Sequence, residues 1–357
     1  MTKVSTYEID IVKAQTSKIH DVDFDNLTFG RVFTDHMFYC DFIDGEWQQP
    51  KIKPYGPMSI DPSARVFHYG QAVFEGMKAY KDDHGGVFLF RPDENFARIN
   101  KSAKRLAIPE FPKEYFFEGL TTLLKLDKEW IKSGEGNSLY IRPFVIATDS
   151  AIAAAPSDNY RFMIICSPAK AYYKGTVKVL IAEQFSRSAN GGVGFAKAAG
   201  NYAAQFYPTN LAQEKGFQQV IWTDADTHTF LEEAGTMNVF FRIGDTLITA
   251  PTSDRILDGI TRKSLIQLCE DNAIKCDVRP IKVDELVEAY KNGSLKEIFG
   301  AGTAAVISPI SAFEHRDTVY NLPEINENSY SSILKQKMLN IQHNLAEDKH
   351  NWRYEVK

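Results

Sequence analysis

Cysteine is scarce in this sequence and shows no motif. The 357 residues include four cysteines, Cys40, Cys166, Cys269 and Cys276, and no two of them form a CxxC pair. The spacing therefore predicts neither a disulfide framework nor a zinc site, and it suits a reducing compartment. The eight histidines are dispersed without an HExxH motif, so no metal site is expected.

Long apolar runs are also missing. No segment approaches the roughly 20 apolar residues of a membrane span, so we expect no membrane partner. The first 20 residues contain Glu8 and Asp10 and no apolar core segment, which argues against a signal peptide and a mitochondrial presequence. The formal net charge of -5 does not favour a polyanion as partner. We expect a cytoplasmic protein that does not bind nucleic acid.

What is present is typical of a soluble enzyme of about two domains. The sequence is 44% apolar and 24% charged, enough for a sizeable core. Strand-like and helical patterns are mixed without a regular βαβ alternation, which predicts two α/β or α+β domains. The loose segment 168–176, with Pro168 and Gly175, is the candidate linker. It separates an N-terminal domain (1–167) from a C-terminal domain (177–357).

Several segments have clear local patterns. VFLFR (87–91), SLYIRPFVIAT (138–148) and RFMIICS (161–167) read as strands because aromatic and β-branched residues dominate them. Asp93 is placed to cap a helix after the first strand. The segment 113–132 is periodic enough for one long amphipathic helix. Further helices are expected near 201–215, from about 261, and near 326–345.

Lys197 lies in the small-residue stretch GFAKAAGNYAAQ (194–205). A surface lysine on a flexible loop is the simpler interpretation of this segment. A lysine that attacks a carbonyl carbon is the alternative, because small neighbours leave space for a bulky aldehyde. Tyr202 would then offer a phenol close to it. GxxxxGK[ST] is absent, so the glycines do not form a known nucleotide-phosphate loop.

Two acidic residues precede the strand MNVFF in LEEAGTMNVFF (231–241). A solvated acidic pair at a strand entrance is one interpretation. A carboxylate that enters a buried strand is costly unless a cation pairs with it, and a protonated pyridine nitrogen of a cofactor would be such a cation.

Four further segments could bind anions or wall a pocket. Asp258 and Gly259 lie where a helix begins, and free N–H groups at such a point bind phosphate, although many helices simply start this way. GAGTAA (300–305) could form an anion nest or a plain turn. In LYIRP (139–143), Tyr140 and Arg142 project from one face of a strand, which suits carboxylate binding or an edge arginine. FHYGQAVFEGMKAY (67–80) could be core or an apolar pocket wall.

The order of these segments resembles the branched-chain amino acid aminotransferases, which are pyridoxal phosphate enzymes of fold type IV. The resemblance extends from Phe29 to the end of GAGTAA. Eight segments carry it: FGRVFTDHM (29–37), HYGQAVFEGMKA (68–79), FRPDENFARI (90–99), LYIRP, the lysine with GNY, EAGTMN, LDGITR and GAGTAA. It implies two domains, a smaller N-terminal α/β domain and a larger C-terminal one that binds pyridoxal 5'-phosphate, with the active site between them.

The resemblance also implies the cofactor-binding residues. Lys197 matches the Schiff-base lysine and general base, although Ala199 replaces a usual glycine. Tyr202 matches the partner of the phenolate oxygen, and Glu233, rather than Glu232, matches the partner of the ring nitrogen. Arg98 matches the phosphate-binding arginine, and we expect it on the helix face opposite Phe96 and Ile99. The remaining cofactor contacts implied are Thr236, Ile260, Thr261 and Thr303.

Substrate-binding residues follow in the same way. The resemblance implies transamination of L-leucine, L-isoleucine and L-valine with 2-oxoglutarate. It places pocket walls and substrate contacts at Phe29, Phe74, Tyr140, Thr236, Thr303 and Ala304. Tyr69 and Ile152 match residues contributed across a homodimer interface, and Arg142 matches an arginine near the pocket.

One departure and three alternatives remain. Animal members have a CxxC pair after the GTA turn, where this chain has Ala305 and Ser308, so a thiol switch of that kind is not expected. A D-amino acid aminotransferase or an aminodeoxychorismate lyase would use the same lysine and glutamate. A catalytically silent metabolite-binding protein is the alternative from another class.

Overall fold

The computed structural model describes residues 8–170 and 175–357. In these ranges the strands are β1 (Asp10–Ile11), β2 (His36–Ile43), β3 (Glu46–Trp47), β4 (Lys51–Pro54), β5 (Ala72–Phe74), β6 (Met77–Lys81), β7 (Val87–Phe90), β8 (Ser138–Ala147), β9 (Tyr160–Ala169), β10 (Val177–Ile181), β11 (Gln219–Thr223), β12 (Leu231–Ala234), β13 (Asn238–Ile243), β14 (Thr246–Thr249), β15 (Lys275–Val278), β16 (Leu295–Gly302), β17 (Val306–His315), β18 (Thr318–Asn321) and β19 (Arg353–Glu355).

The α-helices in the described ranges are α1 (Arg65–Tyr69), α2 (Pro92–Arg105), α3 (Lys113–Leu126), α4 (Ala199–Ala203), α5 (Phe206–Glu214), α6 (Ile260–Asp271), α7 (Val283–Lys291) and α8 (Tyr330–Gln342). The chain divides into two compact units. The first comprises 1–171, 197–199 and 342–357, and the second comprises 172–196 and 200–341. A mixed α/β fold with two domains is therefore confirmed.

The first unit is built on one mixed sheet. Its strand order is β1-β4-β2-β9-β8-β6-β7-β19, with β3 on β2 and β5 on β8. The centre is the antiparallel pair β8 and β9, in register from Ser138 opposite Ala169 to Ala147 opposite Tyr160. Helices α2 and α3 supply apolar side chains to its core, among them Ile99, Phe116 and Leu120.

The second unit has its own mixed sheet. The order is β12-β11-β10-β17-β16-β13-β14-β15, with β18 on β17. Strands β10 and β11 are parallel, whereas β13 and β16 are antiparallel, with Asn238 opposite Ala301. This register places the turn before β13 and the turn after β16 at the same end of the sheet. Both turns contain residues that the sequence analysis predicts to contact the cofactor, Thr236 and Thr303.

The C-terminal boundary of the predicted domains is corrected by the structure. We expected 177–357 to form one domain, but 342–357 belongs to the first unit because β19 pairs with β7, with Arg353 opposite Phe90. Lys197–Ala199 also belongs to the first unit. Strand β9 extends through Ala169, so the first two residues of the predicted linker 168–176 belong to that strand. Residues 171–174 of that linker lie outside the described residues.

Two helix predictions are also corrected. Asp93 does not cap α2; the N-cap is Arg91 in a left-handed conformation, and the helix begins at Pro92, whose fixed φ suits a first helical position. The expected helix 113–132 ends at Leu126. The Asp127 carboxylate accepts a hydrogen bond from the His36 backbone N–H at 3.1 Å and lies 2.6 Å from the His36 ring Nδ1. The helix therefore ends where a long-range contact holds the next residue.

Candidate active site

Lys197 is held in the first unit by its backbone. Its carbonyl oxygen accepts a hydrogen bond from the Phe74 N–H at 3.1 Å, and its own N–H donates to Ser102 Oγ at 2.9 Å. Ser102 lies on α2 and Phe74 at the end of β5. The ammonium Nζ lies 4.8 Å from the centroid of the Phe74 ring, within cation–π range. The lysine is therefore fixed between a strand and a helix, which a surface loop would not require.

Arg98 is buried on the polar strip of α2 with Asn95 and Ser102. Its Nε donates to Glu75 Oε1 at 2.6 Å and its Nη2 donates to Glu75 Oε2 at 2.9 Å. We expected Arg98 on the face opposite Phe96 and Ile99. It instead shares the buried side of the helix with Ile99, because Glu75 pairs with it there.

An aromatic and cationic cluster lies around Phe74 in the same unit. Arg142 lies 4.6 Å from the Phe74 ring centroid, and its Nη2 donates to Tyr140 Oη at 2.9 Å. Tyr140 makes an edge contact with Phe29 at 4.9 Å between ring centroids. Gly76 permits this arrangement, because a Cβ there would overlap Tyr140 Oη. Five residues predicted separately for the cofactor or substrate are therefore neighbours: Phe29, Phe74, Tyr140, Arg142 and Lys197.

Tyr69 and Ile152 lie at the surface of the first unit. Tyr69 Oη donates to the Ile152 carbonyl oxygen, and the two side chains are 47% and 70% exposed. Phe67, two residues before Tyr69 on α1, is 62% exposed. Large exposed apolar side chains of this kind indicate an interaction surface in a folded chain when they are close together.

The two acidic residues of LEEAG are both buried in the second unit, so neither is solvated. Glu233 forms an ion pair with Arg187, with 2.7 Å between Oε1 and Nη1. It also accepts hydrogen bonds from Asn238 Nδ2 at 3.1 Å and, weakly, from the Leu257 N–H at 3.3 Å. Glu232 pairs with Arg255. Despite that partner, burial raises the pKa of the Glu232 carboxyl above its usual range.

Most of the other predicted residues of the second unit lie in the loop and turns around Glu233 or at the same end of the sheet. Helix α6 begins at Ile260 after Gly259, which has no side chain to cap the first N–H groups, so the amides at Ile260 and Thr261 suit an anion. Asn238 Nδ2, which donates to Glu233, also donates to the Leu257 carbonyl oxygen at 3.0 Å. Asn238 therefore connects Glu233 to the loop that precedes α6. The backbone of Thr236 lies beside Gly302, and Thr303 and Ala304 follow directly. Tyr202 is on α4.

Four polar residues were missed by the sequence analysis. Glu75 pairs with Arg98, Asn95 donates to Glu75, Ser102 accepts from the Lys197 N–H, and Arg187 pairs with Glu233. A weak signal existed for two of them: Glu75 lies in the small-residue segment FEGMKA, and Arg187 precedes the glycine-rich stretch. Neither pattern identifies the residue with which the side chain pairs.

Comparison with known proteins identifies the family. The class IV amino-transferase profile matches residues 72–313, more than half of the chain. The chain belongs to the class IV aminotransferase family. It is 42% identical over 360 residues to the branched-chain-amino-acid aminotransferase 2 of Bacillus subtilis, covering 100% of this chain and 98% of that relative. It is also 42% identical to the Mycolicibacterium smegmatis branched-chain-amino-acid aminotransferase, covering 92% and 91%. The expected resemblance is confirmed, and the chain is an aminotransferase.

Solved structures agree on the fold. The Escherichia coli branched-chain amino acid aminotransferase superposes with a TM-score of 0.72 at 24% identity, covering 89% of this chain and 99% of that one. A Thermobaculum terrenum branched-chain amino acid aminotransferase, solved in its pyridoxal phosphate form, gives a TM-score of 0.73 at 19% identity, covering 90% and 98%.

Within the described residues, no helix has the length and apolar character of a membrane span, and no group of histidine, cysteine and acidic side chains could hold a metal ion.

Proposed function

We propose that the chain transfers the amino group of L-leucine, L-isoleucine or L-valine to 2-oxoglutarate, reversibly and with pyridoxal 5'-phosphate. The observation that carries this proposal is the full-length similarity to relatives named for branched-chain substrates. The anchored Lys197 and the ion-paired Glu233 supply the residue types that such a reaction needs.

The residues present fit the cofactor. The uncapped start of α6 offers amide donors to a phosphate, and Arg98 offers a guanidinium held by Glu75. Glu233 would face the ring nitrogen, Tyr202 the phenolate oxygen, and Thr236 and Thr303 further polar atoms. When bound, pyridoxal phosphate supplies an aldehyde for the amine and a ring that delocalises the electron pair left by proton removal.

Lys197 would act as the acid and base of the reaction. In the free-amine form its Nζ would remove the Cα proton of the substrate, and in the resulting ammonium form it would return a proton to complete the transfer. The backbone bonds to Phe74 and Ser102 fix the start of its side chain, so its reach is limited to the region around the Phe74 ring. The Arg187 guanidinium favours the ionised form of Glu233, because the two side chains lie in direct contact.

Substrate selection would come from the cluster around Phe74. Phe29, Phe74 and Tyr140 provide apolar and aromatic surface for a branched side chain, which discriminates by only ~1–3 kcal/mol per methylene. Arg142 has a buried Nε without a hydrogen-bond partner among the described residues. Such a donor suits the side-chain carboxylate of 2-oxoglutarate. Ala304 would offer its amide to the substrate α-carboxylate.

Two further parts of the proposal concern the protein in the cell. We propose a homodimer in which the exposed side chains of Phe67, Tyr69 and Ile152 meet a second copy, because burial of exposed apolar surface favours association. We also propose a cytoplasmic location, which four cysteines without a disulfide among the described residues support.

The test is the visible absorption spectrum of the purified protein before and after addition of L-leucine and then D-alanine. We expect a cofactor band that L-leucine alone removes. Lys197→Ala should lose essentially all turnover while binding the cofactor noncovalently, because the Cα proton then has no base. A band that responds only to D-alanine would move the chain to the D-amino acid branch. Absence of any band after addition of pyridoxal phosphate would refute the proposal.

A further inference from the structure

Glu232 is a buried carboxylate without a part in the proposed function. It lies on β12, whose four residues are all buried. Between the paired positions Leu231 and Ala234 this strand has two residues where β11 has one. A bulge of this kind changes the direction of a side chain. It explains how the adjacent carboxylates of Glu232 and Glu233 both contact the loop that precedes α6.

The partner of Glu232 is Arg255, in the segment 253–257 of that loop. Arg255 Nε donates to the Glu232 carboxylate, and Arg255 Nη1 donates to Asn190 Oδ1. The glutamate side chain is 3% exposed and the arginine side chain 22% exposed, so solvent ions screen this pair only weakly. One arginine side chain therefore connects β12, the segment 253–257 and the loop around Asn190.

The backbone of Arg255 is held by the second buried pair of the same strand. Its carbonyl oxygen accepts a hydrogen bond from Arg187 Nη1 at 2.9 Å, and that Nη1 lies 2.7 Å from Glu233 Oε1. Gly194 approaches the same carbonyl oxygen so closely that a Cβ there would lie 2.5 Å from it. Glu232 therefore holds the side chain of Arg255, and Arg187 holds its carbonyl oxygen.

The segment 253–257 leads directly to the proposed phosphate contact. The Leu257 N–H donates weakly to Glu233 at 3.3 Å, and the Leu257 carbonyl oxygen accepts from Asn238 Nδ2 at 3.0 Å. Two residues then separate Leu257 from Ile260, where α6 begins. Because this connection is so short, a shift of the segment would move the first amides of the helix.

We propose that Glu232 is a positioning residue for the cofactor phosphate. It acts through Arg255, whose guanidinium it holds by a charge-assisted hydrogen bond. Arg255 in turn keeps the segment 253–257 in place, and with it the amides at the start of α6 that suit a phosphate. This inference rests on the proposed function, because it concerns the same cofactor site.

The experiment measures the dissociation constants of pyridoxal phosphate and of pyridoxal for the cofactor-free protein by absorbance titration. Their ratio isolates the contribution of the phosphate, since pyridoxal lacks that group. The double variant Arg255→Met with Glu232→Gln removes the contact without leaving a buried charge unpaired. We expect its Kd for pyridoxal phosphate to rise about tenfold, as for one lost charge-assisted hydrogen bond. Its Kd for pyridoxal should stay near the wild-type value.

Two single variants keep the test informative if the double variant does not fold. Glu232→Gln retains an acceptor for Arg255 Nε but loses the charge, so the ratio should fall between those of the wild type and the double variant. Arg255→Lys keeps a cation opposite Glu232 and should restore part of the ratio, because lysine offers one contact where arginine makes two.

The matched control is the double variant Arg242→Met with Glu297→Gln. Arg242 Nη1 and Glu297 Oε1 lie 2.7 Å apart, and the side chains are 19% and 3% exposed, close to the values for Arg255 and Glu232. This pair joins β13 to β16 in the same unit and makes no contact with the segment 253–257 among the described residues. Both double variants should lower Tm, but the control should keep the wild-type ratio of the two dissociation constants.

The outcomes separate the two proposals. If the wild type binds neither pyridoxal phosphate nor pyridoxal, or binds both with equal affinity, the proposed cofactor site fails. If the wild type prefers pyridoxal phosphate and the Arg255→Met with Glu232→Gln variant has the same ratio as the control, the role of Glu232 alone is overturned. Equal weakening of both ligands would overturn it as well, because the effect would then be a general loss of structure.

Discussion

Removal of Arg187 should destabilise the cofactor-free protein through Glu233. Arg187→Met introduces an apolar side chain of similar length, so the space stays filled, but the buried Glu233 carboxylate loses its cation. The side chains of the pair are only 3% and 5% exposed, and the Nη1 to Oε1 distance is 2.7 Å. Loss of one partner from such a pair costs ~3–5 kcal/mol. Asn238 and Leu257 still donate to Glu233, so we expect a value near the lower limit.

Thermal unfolding of the cofactor-free protein measures this cost. For a unit of 150–250 residues each kcal/mol shifts Tm by ~2–4 °C, so ~3 kcal/mol predicts a decrease of about 6–12 °C. The double variant Arg187→Met with Glu233→Gln removes the charge together with its partner. It should recover the part of the lost stability that comes from the unpaired charge, because a neutral amide costs much less to bury than an unpaired carboxylate. The carbonyl oxygens of Gly194 and Arg255, to which Arg187 Nη1 donates at 3.1 and 2.9 Å, still lack that donor, so the recovery is partial.

Arg279→Met is the matched control in the same unit. Arg279 pairs with Glu285 at 2.6 Å, but these side chains are 41% and 37% exposed, and exposed pairs contribute only ~0–1 kcal/mol. Its Tm should fall by no more than a few degrees. The reasoning is refuted if Arg187→Met resembles Arg279→Met, or if the effects of Arg187→Met and Glu233→Gln simply add in the double variant.

Two further predictions concern substrate and pH. Arg142→Ala should raise KM for 2-oxoglutarate more than KM for L-leucine, because the unpartnered Nε suits a second carboxylate; steady-state kinetics with an unchanged KM for 2-oxoglutarate would contradict this. Although burial opposes ionisation, hydrogen bonds from Phe230 and Thr227 lower the pKa of Asp224 to about 2. Since the folded pKa lies below the unfolded value of 3.8, the Tm advantage of wild type over Asp224→Asn should be complete above about pH 4–5 and disappear toward pH 2. A pH-independent difference would show that the carboxylate charge is not responsible.

Strands were predicted more accurately than helix ends. The expected strands 138–148 and 161–167 are Ser138–Ala147 and Tyr160–Ala169 in the structure. These segments are rich in β-branched and aromatic residues and bury both faces, so local composition is enough to identify them. The end of α3 depends on Asp127 contacting His36, which is 91 residues away. No local pattern contains that contact.

The predicted C-terminal domain boundary was wrong for the same reason, because it depends on a contact between residues that are distant in the sequence. The last strand pairs with β7, and Arg353 lies opposite Phe90. A three-residue strand gives almost no periodic signal. Its partner strand, β7, is also distant from it in the sequence. A boundary predicted from composition can only divide the sequence into consecutive segments, whereas the units of the structure are set by which strands pair in each sheet.

The site residues divide in a similar way. Lys197, Glu233, Arg98 and Tyr202 could be proposed because they lie in segments whose order resembles a family. Glu75 and Arg187 could not, because their importance comes from partners that are distant in sequence, Arg98 and Glu233. A sequence indicates a buried charge only when the neighbouring residues are strongly apolar. Even then it does not identify the residue that pairs with that charge.

The ion pair of Glu233 changes one argument made from the sequence. A buried carboxylate requires a cation, and a cofactor nitrogen appeared able to satisfy that requirement. The structure provides Arg187 instead, so the burial of Glu233 is compensated by the protein and does not in itself indicate a cofactor. The same pair gives Glu233 a different value for catalysis. Arg187 and a protonated ring nitrogen would share the charge of Glu233, so this carboxylate would favour the ring proton less strongly than an unpaired carboxylate would, and it would orient the ring by accepting a hydrogen bond from the nitrogen.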